Sequence, residues 1–132
     1  MTHYLDLGDY LLIAEAVLGI PAERLARLDR IGLAESALLA PAAGSGGVDA
    51  YPEFVTKAAV LCWHLVKNHP LPDGNKRAAF LALRVFVERN GHTWYRSPID
   101  PDETDSVIRG VAGGTVGEAE LAEWIRERLV SP

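Results

Sequence analysis

The chain is short of several things, and each shortage excludes a class of protein. Its 132 residues include one cysteine, Cys62. No intrachain disulfide can form, and no cysteine-rich metal site can be built. A reducing compartment is therefore expected, and the cytoplasm is the expected location. Positive charge is also scarce, and the net charge is −5. The broad basic surface with which nucleic-acid binders neutralise phosphates is missing. Direct binding of DNA or RNA is not expected, although a local basic pocket is still allowed. No apolar run approaches the ~18 residues a membrane span needs. The opening MTHYLDLGDY has no basic segment followed by an apolar one, so no signal peptide is expected and no membrane partner either. There is no internal repeat and no linker long enough to divide the chain.

What remains is ordinary globular composition, 48% hydrophobic and 23% charged, in one domain's length. The spacing of apolar residues is mostly helical. Asp6 reads as a helix cap with Asp9 three residues on and Gly19 as the stop, and Leu11, Leu12, Ala16 and Leu18 recur between them. Pro21 suits a first helical position ahead of Leu25 and Leu28. Leu33, Ala37 and Leu38 suggest a further short helix closed by Pro41. The stretch 42–51 (AAGSGGVDAY) cannot hold a helix and reads as a loop or a short hairpin. Two strong helices follow, roughly 52–67 and 75–90, the second closed by Gly91. Asp100, Pro101 and Glu103 read as cap, first-turn proline and capping-box partner of a helix reaching Ala112. Thr115 with Glu118 reads as another box, opening a last helix through Leu121, Ile125 and Leu129. Outside 93–95 no β alternation is convincing. The expected fold is all-α: one compact helical bundle over 1–132, with at most a short flap hairpin or loop.

The chemistry lies between the two strongest helices, in His69–Arg77 (HPLPDGNKR). Two prolines and a glycine keep this stretch from joining its neighbours into one helix. It therefore feeds straight into a helix N-terminus, whose unpaired N–H groups and partial positive charge bind anions. Gly74 lets the backbone approach a ligand, Asn75 offers an amide donor, and Lys76 and Arg77 add two cations. Cations in a first turn oppose the helix dipole by roughly 0.3–1 kcal/mol each, a cost that a bound phosphate would offset. Asp73 is a carboxylate beside that site, as a Mg²⁺ bridging phosphate oxygens requires. His69 brings an imidazole, whose ordinary pKa of about 6.5 suits a base near neutral pH. A base, a metal carboxylate and an anion cradle describe phosphoryl or nucleotidyl transfer. Blander readings exist: Asp73 as a turn former, Asn75 as a simple cap, Lys76 and Arg77 as solvated charges. His64 is read as structural, Trp63, Trp94 and Trp124 as core or rim, Arg84 as a salt-bridge residue, and Cys62 as a small buried hydrophobe.

HPLPDGNKR resembles the core motif of the Fic/Doc superfamily, HxFx(D/E)GN(K/G)R, and the chain as a whole resembles its death-on-curing (Doc) toxin branch. GLAESAL at 32–38, GGVDAYP at 46–52, Asn90–Gly91 and a final helix with Trp124 support the likeness. It implies the following roles. His69 would be the general base, Asp73 would hold Mg²⁺, and Gly74, Asn75, Lys76 and Arg77 would bind the phosphates of ATP, with Lys76 and Arg77 also serving the reaction. The stretch 44–50, with Gly46, Gly47, Val48 and Asp49, would be a flap positioning the target. AMP-transferring members usually carry glycine at the Lys76 position and a second arginine three residues after the first, where this chain has Phe80. In the Doc branch that difference goes with a reversed nucleotide and a kinase acting on a threonine of elongation factor Tu, which blocks translation. Leu71 replaces the motif's phenylalanine as the loop's anchor. No Glu is followed by Gly or Asn, so the family's inhibitory helix, (S/T)xxxE(G/N), is lacking. The inhibitor implied is a separate antitoxin with a disordered C-terminal segment. An AMP- or other nucleotidyl-transferase, or a non-catalytic remnant that only binds an antitoxin, are the alternatives.

Overall fold

In the computed structural model, residues 1–95 and 101–130 are described. Seven helices and two small ribbons follow in order: α1 (Leu7–Leu18), α2 (Ala22–Leu25), α3 (Ile31–Leu39), a 3-10 turn (Ala40–Ala42), β1 (Gly44–Ser45), β2 (Val48–Asp49), α4 (Phe54–Asn68), α5 (Asn75–Arg89), β3 (Thr93–Trp94), α6 (Pro101–Gly113), α7 (Glu118–Arg128) and β4 (Leu129–Val130). The expected all-α bundle with a short hairpin is what forms. No helix among the described residues is long and apolar enough to cross a membrane.

The bundle is built around α4, which packs against α3, α5, α6 and α7. Its partnership with α5 depends on small side chains. Ala58, Ala59 and Cys62 on α4, and Ala78, Ala79 and Ala82 on α5, are all buried. They leave little volume to hold two helix axes apart. Burial pushes the Cys62 thiol up to about 12, so it stays a neutral apolar filler. Phe86 on α5 stacks on Phe54 of α4, with centroids 5.0 Å apart.

Local chemistry sets the element ends. Asp6 accepts from the Asp9 N–H at 2.8 Å, and the Asp9 carboxylate accepts from the Asp6 N–H at 2.9 Å. Gly19 closes α1 with φ 72°. The buried face of α1 differs from the expected one. It consists of Tyr10, Ile13 and Ala14, while Leu12 is 62% exposed. Leucine is a strong helix former on either face, so its spacing alone did not orient the helix. A clasp then ties the N-terminal segment to the end of α5. The His3 N–H donates to Asn90 Oδ1 at 2.7 Å, and Asn90 Nδ2 donates to the His3 carbonyl at 2.9 Å. Arg89 pairs with Asp9 at 2.8 Å.

The C-terminal third differs from expectation in its caps. The last helix does not start from a Thr115–Glu118 box. Thr115 and Val116 instead fold back onto the Gly110 carbonyl through their N–H groups, at 2.8 and 3.0 Å. A side chain at Gly110 would meet Val116 Cγ2 at 2.5 Å, so that return needs glycine. Gly117 precedes α7, and its N–H donates to Glu120 at 3.4 Å. Leu129 lies past the helix end, in β4, where it pairs with Trp94 of β3. Asp100, the expected cap of α6, lies outside the described residues. Its supposed partner Glu103 accepts from Trp124 Nε1 at 3.2 Å and from Arg128.

Candidate functional site

Residues 69–74 join α4 to α5 and run straight into α5's first turn. At the end of α4 the chain must reverse at once, because Pro70 follows His69. His69 takes φ 52° and ψ 56°, and among the described residues it is the only non-glycine with positive φ. That left-handed conformation costs about 1–2 kcal/mol for an ordinary residue. Three side-chain bonds hold the place. Asn68 Nδ2 donates to the Leu33 carbonyl at 2.9 Å. The Arg30 guanidinium donates from Nη2 to the Asn68 carbonyl at 2.9 Å and from Nε to the His69 carbonyl at 3.0 Å.

The loop then turns inward. Pro70 is buried, and Leu71 is 2% exposed within the hydrophobic core, where the expected anchor should be. Asn75 is itself 5% exposed. Its Oδ1 accepts from the Leu71 N–H at 2.9 Å, and its Nδ2 donates to the Leu71 carbonyl at 2.8 Å. Both polar ends of the amide are therefore engaged within the loop. Asn75 was expected to offer that amide to phosphate or to cap the helix. The structure gives the cap position to Gly74, at φ 73°, with no side-chain bond at that end of the helix. What Asn75 presents to an anion is its backbone N–H, the first of α5.

His69, Asp73, Lys76 and Arg77 are exposed around this turn. Asp73 Oδ1 accepts from the Gly74 N–H at 2.8 Å. Among the described residues no group of three or more His, Cys, Asp and Glu side chains gathers to cage a metal ion. One carboxylate beside an anion site nevertheless fits Mg²⁺, which usually takes one or two protein carboxylates plus phosphate oxygens and water. Gly74 is required by space as well as by φ. A Cβ there would lie 2.9 Å from Leu18 Cδ2 and 3.2 Å from Val17 Cγ1, so α1 backs the turn directly.

Beside Lys76 and Arg77 lies an open cavity of about 170 Å³, lined also by Phe80 and by Thr104, Asp105 and Ile108 of α6. Phe80 packs edge-on against Trp94, with centroids 5.6 Å apart at 79°. Trp94 in turn meets Trp124 edge-on at 5.5 Å, and the Arg84 guanidinium lies 5.3 Å from the Trp94 ring centroid. The position one turn beyond Arg77 is thus an aromatic residue packed into this rim, and the rim's cation, Arg84, comes from a later turn of α5. Arg84 pairs with Glu88 at 3.3 Å and His64 sits 3.4 Å from Glu118, both roles structural as expected.

The expected flap is a two-residue hairpin. Gly44 pairs with Asp49 and Ser45 with Val48, and Gly46 and Gly47 turn at φ 60° and 78°. Positive φ at both central residues is the turn that matches strand twist. Val48 is 72% exposed. The hairpin's foot is fixed from below by Lys57, which is 2% exposed. Its Nζ reaches Asp49 Oδ2 at 3.3 Å and the Pro41 carbonyl at 3.2 Å. Lys57 is in the first turn of α4 and His69 follows its last residue, so these two features stand at opposite ends of one helix. The concavity beside the hairpin is lined by residues 42 and 44–49 alone. The structure brings the loop residues together around one turn and makes the hairpin a separate element.

Sequence reading missed Arg30, Asn68 and Lys57. Arg30 lies 39 positions before His69, and no spacing rule links them. Lys57 alone carried a signal, as a charge in the first turn of a mostly apolar helix.

Comparison with known proteins agrees with this geometry. The model of the Fic/DOC family matches residues 4–87, which contain the whole loop and most of α5. A protein named Toxin Doc, from Mycolicibacterium smegmatis, is 38% identical over 112 residues, covering 85% of this chain and 82% of its own. A family match over residues 4–87, and a relative aligned over more than four fifths of both chains, fix the assignment: this chain belongs to the Fic/DOC family.

Proposed function

We propose that this protein is a toxin of a toxin–antitoxin pair and acts as a Doc-type protein kinase, moving the γ-phosphate of ATP to a threonine or serine hydroxyl. The toxin reading is supported by the 38% identity to a protein named Toxin Doc. The transferase reading is supported by the family match together with the exposed His69, Asp73, Lys76 and Arg77 around one uncapped helix start.

The kinase reading is carried by one observation. Phe80, one turn beyond Arg77, is packed against Trp94 where a second phosphate-binding arginine would stand in a nucleotidyl transferase. With no clamp there, the outer phosphates have their best partners at the start of α5, close to His69. His69 would accept the proton of the target hydroxyl. The oxygen would then attack the γ-phosphorus, and the bond to the β-phosphate oxygen would break, releasing ADP. Lys76, Arg77 and the first N–H groups of α5 would hold the phosphate charge as it redistributes. Asp73 would hold Mg²⁺, which when bound neutralises phosphate charge. The Doc likeness would give the hairpin Gly44–Asp49 a target segment to position, although its foot stands at the end of α4 opposite His69, and it suggests elongation factor Tu as the target. The expected inhibitor is a separate antitoxin with a disordered C-terminal segment, acting in the cytoplasm.

The test is incubation with elongation factor Tu and ATP labelled in either the α or the γ phosphate. Transfer from the γ position alone is expected. Transfer from the α position alone would establish a nucleotidyl transferase instead. Growth arrest on expression should disappear with His69→Ala. Equal arrest by that variant would remove His69 from the mechanism and leave a binding function.

A further inference from the structure

We infer that Arg30 is a positioning residue for His69, setting the direction in which the catalytic base leaves the end of α4. The inference rests on the reading of His69 as the base.

His69 occupies a backbone conformation that its own side chain does not favour. Such a residue stays in place only where its surroundings hold it. Pro70 stops α4 at His69, but stopping the helix does not by itself fix the orientation of its final peptide. The last carbonyls of a helix have no partners inside the helix. Here the two that matter, those of Asn68 and His69, are both taken by one guanidinium, at 2.9 and 3.0 Å. A guanidinium is planar, so two bonds to adjacent carbonyls fix their relative orientation as well as their position. Its positive charge also suits the negative end of the α4 dipole.

Arg30 is itself held. It precedes α3, and its carbonyl accepts from the Leu33 N–H at 2.9 Å, while the Leu33 carbonyl accepts from Asn68 Nδ2 at 2.9 Å. The start of α3 and the end of α4 are thus laced together by three bonds around the peptide that carries His69. Arg30 does this from the backbone side and is bonded to no atom of the imidazole. Its effect is on where the imidazole points, which makes it a positioning residue.

The experiment compares wild type with Arg30→Met and Arg30→Lys by two readouts. The first is the backbone ¹H–¹⁵N nuclear Overhauser effect, which needs no assumption about the reaction. Arg30→Met should lower the value at Asn68 and His69 and leave the buried amides of α4 and α5 unchanged. The second is γ-phosphate transfer. Arg30→Met should lower kcat on the order of tenfold to a hundredfold, with KM for ATP within about twofold, because misorientation of a reacting group affects the chemical step. Arg30→Lys keeps the charge without the fork and should fall between the two. Unchanged mobility at His69 in Arg30→Met would overturn the inference. So would a loss of order throughout the bundle, or a rise in KM for ATP matching the fall in kcat, which would make Arg30 a nucleotide ligand. If wild type transfers no phosphate at all, the kinase reading fails, and the mobility measurement still decides whether Arg30 holds His69.

Discussion

Asn75 and Leu71 exchange two hydrogen bonds, amide to backbone, across the loop that joins the two central helices. The pairing closes a small ring in which a buried side chain does the work of a β-bridge. Its surroundings are apolar, so neither Leu71 group has water as a substitute. Asn75→Ala should therefore leave a buried donor and a buried acceptor unpaired. The expected cost is about 2–6 kcal/mol, at 1–3 kcal/mol for each of the two orphaned groups. A urea titration reads it as a lower midpoint with an unchanged slope. Growth arrest should be lost at temperatures where the variant is still folded, because the loop no longer keeps its shape.

Gly74 and Gly46 both have positive φ, but only one has neighbours. A side chain at Gly46 meets nothing within 4 Å, while one at Gly74 meets Leu18 and Val17. The end of Leu18 can turn aside, but the β-branched Val17 has little freedom to do so. Gly46→Ala should cost about 1 kcal/mol from backbone strain alone. Gly74→Ala should cost about 2–3 kcal/mol and should also abolish transfer, since the start of α5 must shift. Equal melting temperatures for the two variants would contradict the packing of α1 behind the loop.

The Arg89–Asp9 pair sets part of the acid response. The Arg89 hydrogen bond holds the Asp9 carboxyl below its ordinary value of 3.8, against a smaller opposing effect of burial. A carboxyl lowered in the folded state binds protons more readily when unfolded. Its contribution is therefore complete above about pH 4 and is lost as pH falls through the lowered folded value. Arg89→Met should be less stable than wild type at pH 7. The gap should narrow steadily below pH 4, as read by denaturation midpoints across that range.

The sequence displayed the loop plainly and the fold in outline. Proline, glycine and charge in HPLPDGNKR have local meanings, and the helices on either side repeat cleanly. The errors lie where a side chain's partners decide. Asn75 reads as a ligand or a cap, and its amide bonds to Leu71, four residues back, are a local pattern the spacing did not announce. Glu103 also bonds Trp124 and Arg128, 21 and 25 positions away, which no local pattern announces. Leu12 and Ile13 have much the same local propensity, and only packing against α5 and the helices beside it chooses between them. Arg30 had no local signal, because its carbonyl partners lie at the far end of another helix.

The clasp between His3 and Asn90 orders the events of folding. Helices α4 and α5 meet across a short loop, and contacts so close in sequence form quickly. The clasp joins positions 87 residues apart. Segment 1–18 must wait until Asn90 has been synthesised and α5 has formed a site to receive it. During that wait Tyr10, Ile13 and Ala14 have only the part of their core that α2 and α3 supply. When α1 docks, it brings Val17 and Leu18 against Gly74. Docking of α1 is therefore also the step that gives the turn at Gly74 its backing, and a chain in which α1 has not docked would lack that support.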